Sequence, residues 1–167
     1  MQVKNVPFVD EVEVFNDTFG KPNNYTPIVP NDKKLTDFVV NFIKEETDEL
    51  AEAIENKDIV EVLDAICDLL YVAVGNATMV FGLKDKLVDA YAEVQASNMS
   101  KSCATYDEAM ETIDACYRKN GPCYTKQVGD RWVVYRQSDD KVMKSINYFA
   151  PNLRKFFTEE EIENAKQ

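Results

Sequence analysis

The chain of 167 residues carries 19 Lys plus Arg against 30 Asp plus Glu, a formal net charge of −11, and it contains no histidine. Without an imidazole there is no Ser-His-Asp triad, no Cys-His pair, no HExxH zinc site and no histidine general base, so acid–base or metal chemistry falls to carboxylates, Lys, Tyr or Cys. The acidic balance argues against the basic footprint of a stable nucleic-acid binder, but it leaves hard divalent cations open as ligands.

In chain order, Phe8, Val9, Val12, Phe15 and Phe19 recur at helical spacing and predict a helix over 8–19. KPNNYTPIVPND, rich in Pro and Asn, reads as an extended loop, with Asn31 or Asp32 available to cap the next helix. Leu35, Phe38, Val39, Phe42, Ile43, Leu50, Ala53 and Ile54 form the apolar face of that helix, from Lys33 to Asn56. After a polar break around Lys57, with Asp58 as N-cap, a third helix runs from Ile59 to Phe81. It is apolar nearly all round and stops at Gly82. Helices over 84–99 and 106–119 come after it, the latter preceded by Thr105 and ended by Gly121-Pro122.

The texture then changes. Tyr124–Val128, Arg131–Arg136 and Lys141–Ile146 are β-branched and aromatic, with a two-residue turn at Gly129-Asp130 and another at 138–140. They predict a three-stranded antiparallel meander, followed by a short helix capped by Thr158. The expected organisation is a helical core over 1–120 with the meander and tail, 121–167, packed on it. Charge divides along similar lines. Residues 118–155 hold nine basic and three acidic residues, a net +6, which leaves −17 for the remainder. Cys67, Cys103, Cys116 and Cys123 form no CxxC pair, and charges interrupt every apolar run of the opening MQVKNVPFVDEVEVF. Reduced thiols in a cytoplasmic protein without leader or membrane span are therefore expected.

The chemistry concentrates on two helices. Glu46 and Glu49 share a face three residues apart, and Glu46 falls in line with Phe38 and Phe42 at the edge of the buried stripe. In the next helix Glu61, Asp64 and Asp68 are spaced three and four apart, and Asp64 and Asp68 are the only charges between Val62 and Leu83. If the chain folds back at Lys57, residues equidistant from it face each other. Glu46 then meets Asp68, Glu49 meets the position beside Asp64, and Glu61 lies nearer the turn and could join by reaching. Buried like charges are costly unless something neutralises them. Oxygen-only ligation by Glu46, Glu49, Asp64 and Asp68, with Glu61, points to Mg²⁺ or Mn²⁺ rather than zinc. The other charges of this run, Glu45, Asp48, Glu52 and Glu55, read as a solvated face. One hairpin of helices cannot cover its own apolar faces, which predicts a homodimer or homotetramer.

EETDE at 45–49 followed by EVLDAICDLLYVAVGNA at 61–77 resembles the metal motif of the all-α nucleoside triphosphate pyrophosphohydrolases, the MazG-like and phosphoribosyl-ATP pyrophosphohydrolase-like proteins. Glu45, Glu46 and Glu49 match its first half. The second half falls literally on Glu61 and Asp64, or, by register against Leu69-Leu70-Tyr71, on Asp68. EVQASNMSK at 93–101 resembles the family segment near substrate phosphates, VEVFNDTFGKP the helix that helps form the base pocket, and KVMKSINYFAP a C-terminal segment of MazG-like proteins, some phage-encoded.

The resemblance implies a mainly α fold, a MazG-like bundle with a small β meander. It implies hydrolysis of a (deoxy)nucleoside triphosphate to monophosphate and pyrophosphate by water activated on Mg²⁺, in the cytoplasm, or the host cytoplasm for a phage protein. It makes Glu45, Glu46 and Lys101 catalytic, assigns Asn98 and Lys101 to the phosphates, and offers Phe15, Phe19 and Tyr71 for the base. The alternatives are a phosphoribosyl-ATP pyrophosphohydrolase, a nucleotide diphosphatase, or a non-catalytic helical interaction module with a structural cation. Trp132 and Tyr135 read as packing.

Overall fold

Side-chain caps set the helix boundaries in the computed structural model, which describes residues 8–166. The opening residues, on which the expectation about a leader partly rested, lie outside that range. The elements are α1 (Phe8–Thr18), α2 (Lys33–Asn56), α3 (Ile59–Met79), α4 (Lys84–Met99), α5 (Tyr106–Asn120), β1 (Cys123–Val128), β2 (Arg131–Arg136), a 3₁₀ turn (Leu153–Phe156) and α6 (Glu159–Asn164). Asp32 starts α2 by accepting from the Lys34 and Leu35 N–H groups at 2.9 and 3.4 Å. Asp58 does the same for α3 through Val60 and Glu61, at 3.0 and 3.3 Å. Thr105 caps α5, and Thr158 forms a reciprocal capping box with Glu161 on α6.

Between α2 and α3 the chain reverses through Lys57 in the left-handed conformation, φ 57°, so that Lys57 and Asp58 donate back to the carbonyls of Ile54 and Ala53. At the other end of α3, Gly82 takes φ +63°, and a Cβ there would lie 2.2 Å from the Thr26 carbonyl oxygen. That close approach holds the 24–28 loop on the helix end. Asn24 bonds the Thr78 carbonyl through its N–H and the Val80 carbonyl through Nδ2, and Ile28 N–H bonds the Phe81 carbonyl.

The described chain divides into two compact units, one running to Val88 and resuming at Phe156, the other spanning Asp89–Lys155. In the first, α1 and α2 both pack on α3, around buried Val12, Val39, Ala53, Ala65, Val72, Ala77 and Val80. Glu13 accepts from Lys84 and from the Tyr25 hydroxyl and so ties α1 to the start of α4.

In the second unit α5 packs on both strands, and Cys103, Ala109, Cys116, Val134 and Met143 form the core. The four cysteines are free, and burial pushes the Cys116 thiol up, which suits an inert packing role. This grouping places most of α4 and all of α5 with the sheet, and the tail from Phe156 with the helical unit, rather than dividing the chain at residue 120.

The meander is shorter than expected. β1 and β2 pair antiparallel through the loop at Gly129-Asp130, but 141–146 is not a strand. Val142 makes an isolated bridge to Tyr135, and Met143 N–H reaches the Val134 carbonyl at 2.8 Å. Beyond that point the backbone is drawn off to α5. Ile146 N–H donates to Thr112 Oγ1 at 3.2 Å, and Ser145 Oγ donates to Glu108 Oε1 at 2.5 Å.

Candidate active site

The reversal at Lys57 sets the acidic residues of α2 against those of α3. Glu46 is buried, with 8 % of its surface exposed, and it has no cationic partner among the described residues. Its carboxyl is pushed above the ordinary glutamate range. Burial contributes most, followed by the charges of Glu49, Asp68, Glu45 and Asp64. Two of these repelling groups belong to α2's own turn and two to α3, so the helix pair crowds negative charge around one buried carboxyl.

Asp68 is half-buried, while Glu45, Glu49 and Asp64 are exposed. Glu61 is also exposed, in the first turn of α3, and is not among the charges named for Glu46. As the side chains stand, no three acidic or thiol groups among the described residues are gathered closely enough to chelate an ion. Mutual repulsion favours such spreading. The donor set nevertheless fits a hard divalent cation. It is all oxygen, it is carried on two packed helices, and its buried member lacks any positive partner.

Beside this pair lies a cavity of about 580 Å³ between α1, α2 and α3. Phe15, Phe38, Phe42 and Tyr71 supply aromatic walls, and Lys21 and Pro22 belong to its lining. Phe15 meets Tyr71 edge-on at 5.6 Å, and Phe38 lies 5.4 Å from Phe42. Of the aromatics expected at a base pocket, Phe15 and Tyr71 line this space. Phe19 does not; its ring lies tilted against that of Phe15, centres 4.5 Å apart, and is largely exposed. Phe38 and Phe42, read from sequence as the apolar face of a helix, are cavity walls as well.

Asn76 was not singled out by sequence reasoning, since it stands within the apolar run VAVGNATMV. It lines the cavity, and its Nδ2 is buried without a hydrogen-bond partner. A polar residue at a helix-face position otherwise occupied by core residues was the available signal.

The SNMSK segment lies in the second unit. Lys101 Nζ donates to Asn98 Oδ1 at 2.8 Å, so these two bond each other. The serines serve the loop beyond the sheet. Buried Ser97 donates to the Phe149 carbonyl at 2.8 Å, and Ser100 Oγ accepts from Phe149 N–H at 3.2 Å. Lys144 lies 4.1 Å from the centre of the Tyr148 ring. The Tyr148 hydroxyl is lowered by its bond with Ser97 first, against burial, then by Lys144 and the charge of Lys101.

The family model for phosphoribosyl-ATP pyrophosphohydrolase matches residues 12–98, from α1 to the last turn of α4. The chain belongs to this family. It thereby falls in the MazG-like all-α superfamily, and membership supports a nucleotide pyrophosphohydrolase. The matched segment contains the acidic helix pair, the cavity and Asn98, whereas Lys101 and the sheet lie beyond it. No curated protein sequence matches the chain. No described helix is long and apolar enough to cross a membrane.

Proposed function

We propose that this pyrophosphohydrolase cleaves the α–β phosphoanhydride bond of a nucleoside triphosphate, with Mg²⁺ or Mn²⁺ held by Glu46, Glu49, Asp64 and Asp68. The observation that carries the reading is Glu46, a buried carboxyl crowded by four others and lacking a positive partner. A divalent cation held by these carboxylates would supply the missing charge, offset that of the phosphate oxygens and lower the pKa of a water. Glu46, deprotonated, would be the buried ligand of that ion. Exposed Glu45, next in the chain, is the residue the motif assigns to take a proton from the attacking water. As water adds to phosphorus the bridging P–O bond breaks, and pyrophosphate leaves with its electron pair. Asn98 and Lys101 are assigned to the phosphates on the SNMSK motif, an amide and a point charge suited to that task.

The reading includes a homodimer or a dimer of dimers. Ile59, Leu63, Ile66 and Leu70 repeat every three to four residues along α3 and expose between 43 and 76 % of their surface. Sedimentation equilibrium is expected to give a mass of two or four chains.

A second substrate is favoured by the family match itself, namely phosphoribosyl-ATP, whose cleavage also releases pyrophosphate. The experiment is incubation with Mg²⁺ and a panel of ribo- and deoxyribonucleoside triphosphates together with phosphoribosyl-ATP. Release of pyrophosphate is expected. Orthophosphate as the sole product would refute cleavage at this bond, and turnover of phosphoribosyl-ATP alone would select the second substrate.

A further inference from the structure

Buried amides in folded proteins are almost always paired, because leaving one unpaired forfeits its hydration without return. Asn76 breaks that rule. It stands inside α3 with 4 % of its surface exposed, and its Nδ2 meets no acceptor. Its backbone carbonyl is occupied by the Val80 and Phe81 N–H groups, so only the side chain is open.

The neighbouring polar residue shows what satisfaction looks like here. Asn16, equally buried on α1 and also lining the cavity, donates from Nδ2 to Asn23 Oδ1 at 2.7 Å. Two asparagines thus line one cavity, one pinned by the protein and one left with a free donor. Apart from Lys21 the remaining walls are mainly apolar, four of them aromatic rings, and the volume lies in the range of small-molecule sites. A flat heteroaromatic ring with an acceptor at its edge meets both demands. It stacks on aromatic walls and accepts from the amide.

We propose that Asn76 reads the nucleobase, donating from Nδ2 to a ring nitrogen or carbonyl oxygen of a base lodged against Phe15, Phe38, Phe42 and Tyr71. The inference rests on the reading that the ligand is a nucleotide, and it adds the residue that chooses among bases. Asn76 is not among the residues assigned to the cation or the phosphates, so it acts on specificity and binding rather than on bond cleavage. A site built to donate one hydrogen bond rejects ligands that cannot accept it, because such a ligand leaves the amide unpaired.

The test uses the full-length protein labelled with ¹⁵N and, as probes, free adenosine, guanosine, cytidine, uridine and thymidine. Binding of a nucleoside requires no phosphate and no hydrolysis. The Asn76 side-chain NH₂ pair, assigned by its disappearance in Asn76→Ser, is expected to shift when a preferred nucleoside is added. Affinity for that nucleoside is expected to fall at least about tenfold in Asn76→Ser. Ratios of kcat/KM between bases should flatten in the same variant, with KM moving more than kcat. If pyrophosphate is released by the wild type while no nucleoside shifts the Asn76 resonance, the inference is overturned and the reaction stands. If a nucleoside shifts the resonance but no nucleotide is cleaved, the base site stands and the reaction falls. Should Asn76→Ser fail to fold, the NH₂ pair is assigned instead by triple-resonance spectra of ¹³C,¹⁵N-labelled wild type, and its shift alone decides.

Discussion

The two units differ in how completely they satisfy their buried polar groups. In the sheet-bearing unit they are satisfied by the protein. Thr112, fully buried, donates to the Glu108 carbonyl and accepts from Ile146 N–H, and Glu108 accepts from Ser145 and from Ala104 N–H. Burial raises the Glu108 carboxyl, yet the bonds from Ser145, Ala104 and Asn147 bring it below the ordinary range. Arg131 binds Ser102 through both its hydroxyl and its carbonyl. In the helical unit Asn16 is paired with Asn23, but buried Glu46 has no cationic partner among the described residues and the Asn76 Nδ2 has no acceptor. One unit uses its polar interior to hold loops together, and the other leaves groups whose natural complements are a cation and a ligand. Free energy withheld from folding in this way is available for binding.

The largest expected effect breaks the contrast at its sharpest point. Glu46→Gln keeps the shape but removes the buried charge, so activity should fall by at least about 100-fold. Without added cation the thermal midpoint should rise, because the crowding around that position is relieved. A variant that loses activity and stability together would mean that Glu46 is held by partners after all.

Gly82→Ala comes next. The new Cβ would meet the Thr26 backbone at 2.2 Å, at a φ that disfavours any side chain. A loss of about 3 kcal/mol is expected in urea denaturation followed by helical circular dichroism. Trp132, the single tryptophan, sits in the other unit and reports on it separately. An unchanged Trp132 transition would sharpen the division, and a transition that moves in step would remove it as a division of stability.

Thr112→Val tests the satisfied unit. It strands the Ile146 N–H and should cost about 1–3 kcal/mol, read this time through Trp132. The smallest effect is electrostatic. The Asp139 carboxylate accepts two bonds from Arg136, at 2.7 and 2.6 Å, and is held at about 2 against an ordinary 3.8. Being lower when folded, it contributes stability that is present above the unfolded value and is lost as pH falls through about 2. Carboxyl titration by NMR should show the low value, and Arg136→Ala should return it towards the ordinary one.

Much of this was legible in the sequence because the boundaries are local. Asp32, Asp58, Thr105 and Thr158 cap the helices they precede, and Gly82 and Gly129 occupy positive-φ positions at a helix end and a hairpin loop. The third strand was not legible, since Lys141–Ile146 has strand composition but is claimed by Thr112 and Glu108, distant in sequence. The place of α5 in the sheet-bearing unit was hidden for the same reason. Of the site, the acidic positions stood out because charge is rare on an apolar helix. Asn76 did not, because whether a buried amide is paired depends on what surrounds it in space.

The central claim is that the acidic helix pair holds a divalent cation through buried Glu46. Titration of Mn²⁺ into the protein at neutral pH, with free ion counted by electron paramagnetic resonance, tests it directly. The account predicts saturable binding by the wild type and at least about tenfold weaker binding by a folded Glu46→Gln variant. Equal affinity in the two proteins, or no saturable binding by the wild type, would contradict it.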